Sequence, residues 1–368
     1  MRIKEIHLFE KEFAVLGEPY TMAGTTLSTL NSIIAKVVTS SGLIGWGEAC
    51  PLGATYQEEH AKGILATLEL VSPQLLGMEL SDPSSMIEEL DRLVCGHNSA
   101  KSVLDCASLD LLGQHHKVPS AALIGEIKAK TVPAYCALGL LAPEELTRHA
   151  LDKVAMGYRR IQLKLGRAEI AEDIEAVTSV VRALESNIEI IADANRGLSK
   201  EQTLFFSNGC ADLPIKIEQP CATTGELASI NPRIHHPLII DENADSVAKV
   251  AELIGQKACT SFGLKVSRLG GLNHFSKVRD LTQRALLPVT CDDTFGGDIV
   301  AAACVHGAVT VEPGLFSGSW IAQEYIAEHY DDESPIKVHR GQLSLPQGNG
   351  LGIRPDETKI GSLAASFG

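Results

Sequence analysis

The sequence predicts an α/β fold in which a barrel of alternating strands and helices follows a smaller α+β unit. Five apolar runs of strand length each end in one ionisable residue. They recur about every 25 residues, which suits the one strand, one helix and two loops that repeat in a (β/α)₈ barrel. From Thr131 onward strand and helix signals alternate strictly, whereas hairpin-like strands followed by helices precede that point. The earlier pattern is typical of an α+β unit.

The α+β unit is expected over residues 1–125. Alternating apolar residues predict antiparallel strands there, and apolar residues at every third or fourth position predict helices. The predicted strands cover 2–9, 32–38 and 43–48, a polar loop covers 20–26, and the helices cover 57–77 and 83–117.

The barrel is expected over residues 126–323, and a tail over 324–368 is expected to return to the α+β unit through short strands. The first barrel strand is predicted at 132–138, with its helix at 143–156. Strands two to six are the five apolar runs, which end at Lys164, Asp193, Glu218, Asp241 and Lys265. Strands seven and eight are predicted at 287–293 and 308–312.

Composition limits the classes of function. The 368 residues are 45% hydrophobic and carry a formal net charge of −14, which argues against nucleic acid and anionic membranes as partners. No apolar run reaches the length of about 18 residues that a transmembrane helix needs, and the N-terminal segment lacks the apolar stretch of a signal peptide. The nine cysteines are scattered without a C-x-x-C pair, so we expect small core residues in a reducing cytoplasm.

Three carboxylates, those of Asp193, Glu218 and Asp241, each close an apolar run on successive strands. Because the parallel strands of a barrel end at one face, these side chains can converge on one point. All-oxygen ligation suits a hard divalent cation such as Mg²⁺. Taken singly, each acid is more often a strand-end or helix-capping residue, and the pair Asp241-Glu242 leaves open which carboxylate faces inward. The three in phase favour a metal site.

Lys164 and Lys265 flank these acids in the chain. An isolated lysine is usually solvated, but both stand at strand ends within the barrel pattern. Partial burial and a nearby Mg²⁺ would lower the pKa of each toward that of a general base. Two lysines on opposite faces of a metal-held substrate suggest proton transfer at a carbon next to a carboxylate, with the metal stabilising an enediolate.

This set of residues resembles the enolase superfamily, specifically its muconate-lactonizing-enzyme-like branch, over nearly the whole chain. The resemblance implies a modified (β/α)₇β barrel with an α+β capping domain. It also implies one Mg²⁺ per subunit, held by Asp193, Glu218 and Asp241, with Lys164 and Lys265 as the catalytic pair. Where that family ends its second strand in Lys-x-Lys, this chain reads Gln162-Leu-Lys164, so only the catalytic second lysine is kept. Such barrel enzymes usually form symmetric assemblies, and we expect a homo-oligomer in the cytoplasm.

Specificity in the resembling family comes from capping-domain loops and from the ends of strands seven and eight. The stretches 50–56, 95–98, 265–271 and 291–298 look like its proline-derivative group, which contains dehydratases and 2-epimerases. Phe295 and Trp320 are expected to face a cationic ring nitrogen, with Asp292 as the counter-charge; core packing is the alternative for Trp320. The full set of candidate substrate contacts is Tyr56, Gln162, Asp292, Phe295 and Trp320.

The sequence therefore predicts a Mg²⁺-dependent hydro-lyase that converts cis-3-hydroxy-L-proline to Δ1-pyrroline-2-carboxylate. The resembling betaine epimerases carry a bulkier tryptophan where Phe295 stands, so the smaller ring favours a free imino acid over a methylated one. The alternative is a 2-epimerase or racemase of proline, hydroxyproline or their betaines that uses the same two lysines. A catalytically silent amino-acid sensor is the rival from another class, and the presence of both lysines argues against it.

Overall fold

The computed structural model describes residues 1–17, 19–22, 25–326 and 328–368, with Thr25 described by its backbone alone. Its first part contains long antiparallel strands followed by helices, as the α+β pattern predicts. The strands are Ile3–Ala14 (β1), Tyr20–Met22 (β2), Thr25–Leu27 (β3), Thr29–Thr39 (β4) and Ile44–Ala49 (β5). The helices are Ala61–Leu75 (α1), Ser85–Leu93 (α2), Asn98–His116 (α3) and Ala121–Ile124 (α4).

The predicted polar loop over 20–26 is partly wrong. Strands β2 and β3 pair with each other as a small antiparallel ladder, from Tyr20 opposite Leu27 to Met22 opposite Thr25. Threonine and tyrosine favour extended backbone, which outweighs the polar character of the segment. Ala23 and Gly24 of the predicted loop lie outside the described residues.

Helix α3 lies at the centre of the first part of the chain, and its residues from Ser99 to Gly113 are all buried. It packs unusually close to strand β5. A Cβ atom at Gly47 would lie 1.7 Å from the carbonyl oxygen of Val103, and one at Gly45 would lie 2.3 Å from that of Ala107. Glycine is therefore required at both strand positions so that the helix can approach the sheet.

The second part of the chain alternates strands and helices. Its strands are Thr131–Pro133 (β6), Cys136–Leu138 (β7), Arg160–Lys164 (β8), Glu189–Asp193 (β9), Ile215–Glu218 (β10), Leu238–Ile240 (β11), Ser261–Phe262 (β12), Val289–Thr290 (β13) and Phe316–Gly318 (β14). Its helices are Pro143–Ala155 (α5), Ile170–Ala183 (α6), Lys200–Gly209 (α7), Thr224–Ile230 (α8), Val247–Gly255 (α9), Val266–Leu269 (α10), Leu272–Arg284 (α11) and Asp298–Ala308 (α12).

Strands β7 to β14 form one eight-stranded sheet in chain order, and every neighbouring pair is parallel. A parallel bridge between Ala134 and Ser319 connects its two ends. Each of the first seven strands is followed by at least one helix, whereas β14 leads into the tail. The predicted α/β fold, a modified (β/α)₇β barrel with an α+β cap, is confirmed.

The predicted eighth strand at 308–312 is wrong. Ala308 ends helix α12, residues 309 and 310 form a turn, and the eighth strand lies farther on at Phe316–Gly318. Val309 and Val311 are nevertheless buried. A short apolar run is equally compatible with a buried strand and with the packed end of a helix, so its pattern alone could not distinguish the two.

The predicted first barrel strand at 132–138 is divided between two ladders. Strand β7 pairs with β8 in the barrel, whereas β6 pairs with Gln342–Ser344 (β15) in the tail. The last strand, Ser362–Phe367 (β16), pairs antiparallel with β1, giving the first sheet the order β16-β1-β4-β5. The tail therefore pairs with strands of both parts of the fold.

All nine cysteine thiols are free, and eight of them are buried. The exception is Cys95, which is exposed in the segment between α2 and α3. The expectation of small core cysteines thus holds for every cysteine but that one. None of the described helices combines the length and the apolar character needed to cross a membrane.

Candidate active site

Parallel register brings five predicted site residues to one end of the barrel. Lys164 pairs with Asp193 across β8 and β9, and Asp193 pairs with Glu218 across β9 and β10. Asp241 directly follows β11, and Lys265 is the third residue after β12. Because the strands run parallel, all five side chains stand at their C-terminal ends, where barrel enzymes carry catalytic groups.

Each lysine forms an ion pair with a different carboxylate. Nζ of Lys164 lies 2.5 Å from Oδ2 of Asp193, and Nζ of Lys265 lies 2.8 Å from both carboxylate oxygens of Asp241. None of the four side chains is more than 10% exposed. Lys164 belongs to the second of eight strands and Lys265 follows the sixth, so the two amines approach from opposite sides of the barrel.

The ion pairs keep both lysines in their charged form. Burial lowers the pKa of Lys164, but the charge of Asp193 outweighs it, and the pKa lies well above that of an ordinary lysine. Burial likewise lowers the pKa of Lys265, but the charge of Asp241 outweighs this effect, so the pKa of Lys265 is also raised. The sequence predicts a lowered pKa for both lysines. This is not found while each lysine forms an ion pair with a carboxylate.

Glu218 stands between the two ion pairs, and no described lysine, arginine or histidine forms an ion pair with it. Its Oε2 accepts a hydrogen bond from Nε2 of Gln162 at 2.9 Å. Burial, followed by repulsion from Asp193 and Asp241, raises the pKa of Glu218 well above its ordinary value. A neutral amide at position 162 leaves that repulsion unrelieved, where a lysine would reduce it.

A cavity lies at this end of the barrel, and of the adjacent acids Asp241 and Glu242, Asp241 is the one that lines it. Burial raises the pKa of Asp241, but Arg268 and Lys265 outweigh it, so its pKa falls below the usual range. Oε1 of Glu242 instead accepts a hydrogen bond from Nδ2 of Asn195 at 3.0 Å. Burial and the charge of Asp241 raise the pKa of Glu242 to about 7.

The oxygen donors at the strand ends are of the type that suits Mg²⁺, although within the described ranges no three His, Cys, Asp or Glu side chains stand close enough together to hold a metal ion. Instead, the ammonium groups of Lys164 and Lys265 form ion pairs with the carboxylates of Asp193 and Asp241. Three carboxylates supply the hard oxygen ligands that Mg²⁺ prefers, and their repulsion, seen in the raised pKa of Glu218, would be relieved by a bound cation.

Tyr56 reaches the same cluster from the loop that follows β5. Its hydroxyl donates a hydrogen bond to Oδ2 of Asp241 at 3.2 Å and accepts one from Nη2 of Arg268 at 3.1 Å. Nη1 of Arg268 lies 2.6 Å from Oδ1 of Asp241. Arg268 is not among the site residues predicted from the sequence, although its position three residues after Lys265 places the two on one helical face, a signal that could have identified it.

Aromatic side chains form another wall of the site. The rings of Phe295 and Trp320 have centroids 5.1 Å apart and planes inclined by 74°. Two rings that the sequence analysis did not select complete this group. Tyr20 lies 6.1 Å from Phe295, and Tyr325 lies 5.3 Å from Trp320. Because Tyr20 comes from the cap and Tyr325 from the tail, no local sequence pattern connects them to the barrel.

Asp292 has different neighbours from those the sequence predicted. Its carboxylate accepts hydrogen bonds from the Tyr135 hydroxyl at 3.0 Å, the Thr290 hydroxyl at 2.5 Å and the backbone N–H of Trp320 at 2.6 Å. Burial raises the pKa of Asp292 to about 6. These bonds direct the carboxylate into the protein, and Asp293, the next residue, lines the cavity instead.

One cavity of about 40 Å³ lies among these groups. Eight of the ten predicted site residues line it: Tyr56, Gln162, Lys164, Asp193, Asp241, Lys265, Phe295 and Trp320. The other two do not line the cavity but bond to residues that do: Glu218 accepts a hydrogen bond from Gln162, and Asp292 accepts one from the backbone N–H of Trp320. The ammonium groups of Lys164 and Lys265, the carboxylates of Asp193 and Asp241 and an aromatic surface thus border one space.

Comparison with known proteins agrees with this geometry. The family model described as mandelate racemase / muconate lactonizing enzyme, N-terminal domain, matches residues 4–125, and the enolase C-terminal domain-like model matches residues 145–359. The chain belongs to the enolase superfamily. Known members include dehydratases, cycloisomerases and epimerases, so this member of the superfamily is an enzyme.

Three relatives show the range of similarity. A cis-3-hydroxy-L-proline dehydratase from Roseibium aggregatum is 29% identical, and the match covers 100% of both chains. An L-Ala-D/L-Glu epimerase from Clostridium acetobutylicum is 24% identical over 79% of this enolase-superfamily chain and 82% of its own. A solved enolase-superfamily structure from Roseovarius nubinhibens ISM, complexed with magnesium, has a TM-score of 0.94 at 26% identity and covers 100% of this chain and 99% of its own.

Proposed function

We propose that this enolase-superfamily enzyme is a Mg²⁺-dependent hydro-lyase that dehydrates cis-3-hydroxy-L-proline to Δ1-pyrroline-2-carboxylate. The observation that carries the proposal is the pair Lys164 and Lys265, which line one cavity from opposite sides of the barrel. Anti elimination across a small ring uses a base on one face and an acid on the other. The full-length similarity to a cis-3-hydroxy-L-proline dehydratase supports this choice of substrate.

Asp193, Glu218 and Asp241 are the residues that would hold the Mg²⁺. When bound, Mg²⁺ would stabilise negative charge that develops on the substrate carboxylate. The magnesium in the Roseovarius nubinhibens relative supports this choice of metal. Gln162 is proposed to orient Glu218 through the amide contact at 2.9 Å.

The two lysines would carry the proton transfers. In cis-3-hydroxy-L-proline the hydroxyl and the carboxylate share one ring face, so the C2 hydrogen and the leaving hydroxyl lie on opposite faces. With Asp193 and Asp241 engaged by Mg²⁺, the lysines would lose the carboxylate partners that keep them charged. One lysine in its neutral form would then take the C2 proton, and the C2–H electron pair would form the C2–C3 double bond. The other lysine, in its charged form, gives a proton to the departing hydroxide, which leaves as water. The resulting enamine tautomerises to the Δ1-pyrroline.

The remaining walls would orient the imino acid. Tyr56 is proposed to fix the carboxylate end through its hydrogen bond to Asp241, and Phe295 and Trp320 are proposed to face the ring nitrogen. Because the carboxylate of Asp292 is directed away from the cavity, we assign it to the support of Trp320 and not to the substrate nitrogen.

The second candidate is 2-epimerisation of proline, hydroxyproline or their betaines. Tyr20 and Tyr325 enlarge the aromatic wall beyond the two rings that the sequence identified, and this weakens the argument from Phe295 against a methylated ammonium. The two-lysine arrangement would invert C2 if one lysine removed the proton and the other returned one to the opposite face. The epimerase relatives support the same alternative.

A proton NMR time course in D₂O with Mg²⁺ tests the two functions. The substrates are cis-3-hydroxy-L-proline and trans-4-hydroxy-L-proline betaine, in separate reactions. The proposal expects loss of the first substrate's ring signals and growth of a pyrroline species. Deuteration and inversion at C2 of the betaine, with the 3-hydroxy compound unchanged, would replace the dehydratase with the epimerase. No change in either compound would refute both.

A further inference from the structure

Tyr56 forms a wall between two spaces. On one side it lines the catalytic cavity, and on the other it lines an outer cleft of about 280 Å³. The far walls of that cleft come from the cap, at 57–59 and 96–98, and from the barrel loop at 242–246. Among the described residues that line the two spaces, Tyr56 is the one that lines both.

Arg268 holds the hydroxyl end of Tyr56. Its guanidinium contacts the Tyr56 hydroxyl and the carboxylate of Asp241 at the same time, with only 8% of the residue exposed. Its Cζ lies 5.7 Å from the centroid of the Tyr56 ring. The backbone oxygen of Arg268 also accepts a hydrogen bond from Nδ2 of Asn98, at the start of helix α3, at 2.8 Å. Arg268 is thereby tied to the cap at two points.

Arg196 holds the backbone of the same residue. It follows strand β9, and its Nη2 donates a hydrogen bond to the carbonyl oxygen of Tyr56. Its Cζ lies 6.0 Å from the ring centroid. Arg196 has a φ of 67°, in the left-handed region that non-glycine residues rarely adopt. The backbone there is held in an uncommon conformation from which the side chain reaches the cap.

We propose that Arg196 and Arg268 are positioning residues that clasp Tyr56 from two separate parts of the barrel, the loop after β9 and helix α10. The clasp keeps the Tyr56 ring closed over the catalytic cavity and, through Arg268, aligns Asp241. The inference rests on the proposed function only in taking Tyr56 to face the substrate. Neither arginine lines the catalytic cavity, so neither is assigned a part in the chemical step.

Hydrogen–deuterium exchange of the intact enzyme tests the clasp without any substrate. Charge-assisted hydrogen bonds hold the loop, so Arg268→Met and Arg196→Met should each speed exchange in peptides covering 53–60 by roughly ten- to hundred-fold. Arg268→Lys and Arg196→Lys keep the charge but lose the two-pronged donor, and should have smaller effects in the same direction. The matched control is Arg284→Met, at the exposed end of helix α11, which should leave these peptides unchanged.

Tyr56→Phe separates the two arginine contacts. It removes the hydroxyl that Arg268 holds and keeps the carbonyl that Arg196 holds. Arg268→Met should therefore add less to exchange in the Tyr56→Phe background than in the wild type, whereas Arg196→Met should add the same in both. If neither methionine variant changes exchange at 53–60 while both remain folded, the clasp is refuted. Should a methionine variant not fold, the lysine variants decide by the same criterion.

Steady-state kinetics supply a second readout. Arg196 contacts no predicted catalytic group, so Arg196→Met should raise KM by about ten-fold and leave kcat nearly unchanged. Arg268→Met should also lower kcat, because it releases Asp241. Faster exchange at 53–60 with no turnover of the proposed substrate would uphold the clasp and count only against the proposed function.

Discussion

At the scale of single residues, the site is built from opposite charges that neutralise one another. Lys164 pairs with Asp193 and Lys265 with Asp241, and all four side chains are buried. A buried ion pair is costly to break on one side only, because the remaining charge loses its partner. The same four residues therefore bear on both stability and the proposed proton transfers.

Replacing either lysine with methionine should abolish most activity. Lys164→Met and Lys265→Met keep the apolar stem and remove the amine, so each should lower kcat by about 1,000-fold. The measurement is the initial rate on cis-3-hydroxy-L-proline, with circular dichroism to verify folding. Lys249→Met is the matched control, because that lysine lies on helix α9 and, among the described residues, its ammonium forms an ion pair with Glu252 of the same helix alone. A variant of either cavity lysine with an unchanged rate would contradict the assigned roles.

How far the site could be predicted depends on where each residue comes from. Lys164, Asp193 and Glu218 could be found because strand ends in parallel register meet at one barrel face. Arg196 and Tyr20 could not, because Arg196 reaches back from a loop and Tyr20 reaches across from the cap. Their contacts arise only when separate parts of the chain dock, and no periodicity in the sequence encodes that docking.

At the scale of secondary structure elements, the closest contact in the cap is between strand β5 and helix α3. Gly47→Ala would place a Cβ 1.7 Å from the carbonyl oxygen of Val103, so the helix or the strand must move. We expect a loss of about 3 kcal/mol in the free energy of unfolding, measured by urea denaturation. The matched control is Gly255→Ala at the end of helix α9, where a Cβ would meet nothing within 4 Å. Equal stability of the two variants would show that the contact is looser than described.

The burial and length of the strands explain which of them were predicted well. Residues 160–164 and 190–193 are all buried, and such continuous burial is typical of parallel strands covered on both faces. The run at 308–312 is likewise largely buried but ends a helix instead, and the true eighth strand is only three residues long. Strands β12 and β13 have only two residues each, and their ends are set by pairing with neighbouring strands. The sequence alone therefore says little about where such strands begin and end.

A buried acid joins helix α3 to helix α11 and should make stability depend on pH. Asp105 accepts hydrogen bonds from the backbone N–H of Asn273 at 3.1 Å and from its Nδ2 at 2.6 Å. Burial raises the pKa of Asp105 from 3.8 to about 7. An acid with a raised pKa binds its proton more tightly when folded, so its contribution is complete below about pH 4 and is lost as the pH rises through 7.

Asp105→Asn should therefore flatten the pH dependence of stability. Between pH 5 and pH 8, the fall in the free energy of unfolding should be smaller than in the wild type by about 2 kcal/mol. Urea denaturation at several pH values measures this slope, and Asp152→Asn, an exposed acid on helix α5, serves as the control. Parallel curves for Asp105→Asn and the wild type would mean that Asp105 does not titrate in this range.

At the scale of the whole molecule, we expect the fold not to depend on a metal for its assembly. Two of the three carboxylates at the barrel mouth form ion pairs with lysines of the same chain. We expect EDTA to lower turnover by at least about 100-fold while circular dichroism stays unchanged, and added Mg²⁺ to restore the rate. Unfolding on chelation would show that the lysine pairs cannot replace the cation, and full activity in EDTA would remove Mg²⁺ from the proposed mechanism.

The pairing of β16 with β1 also bears on the order in which the molecule folds. The hydrogen bond between His7 and Ser366 spans 359 residues of chain, so forming it closes a very long loop. Contacts of such long range are slow to form, because the chain loses entropy before the new contacts repay it. Four residues of β16 remain exposed even when paired. We therefore expect this strand to join the sheet late during refolding and to be among the first segments to detach.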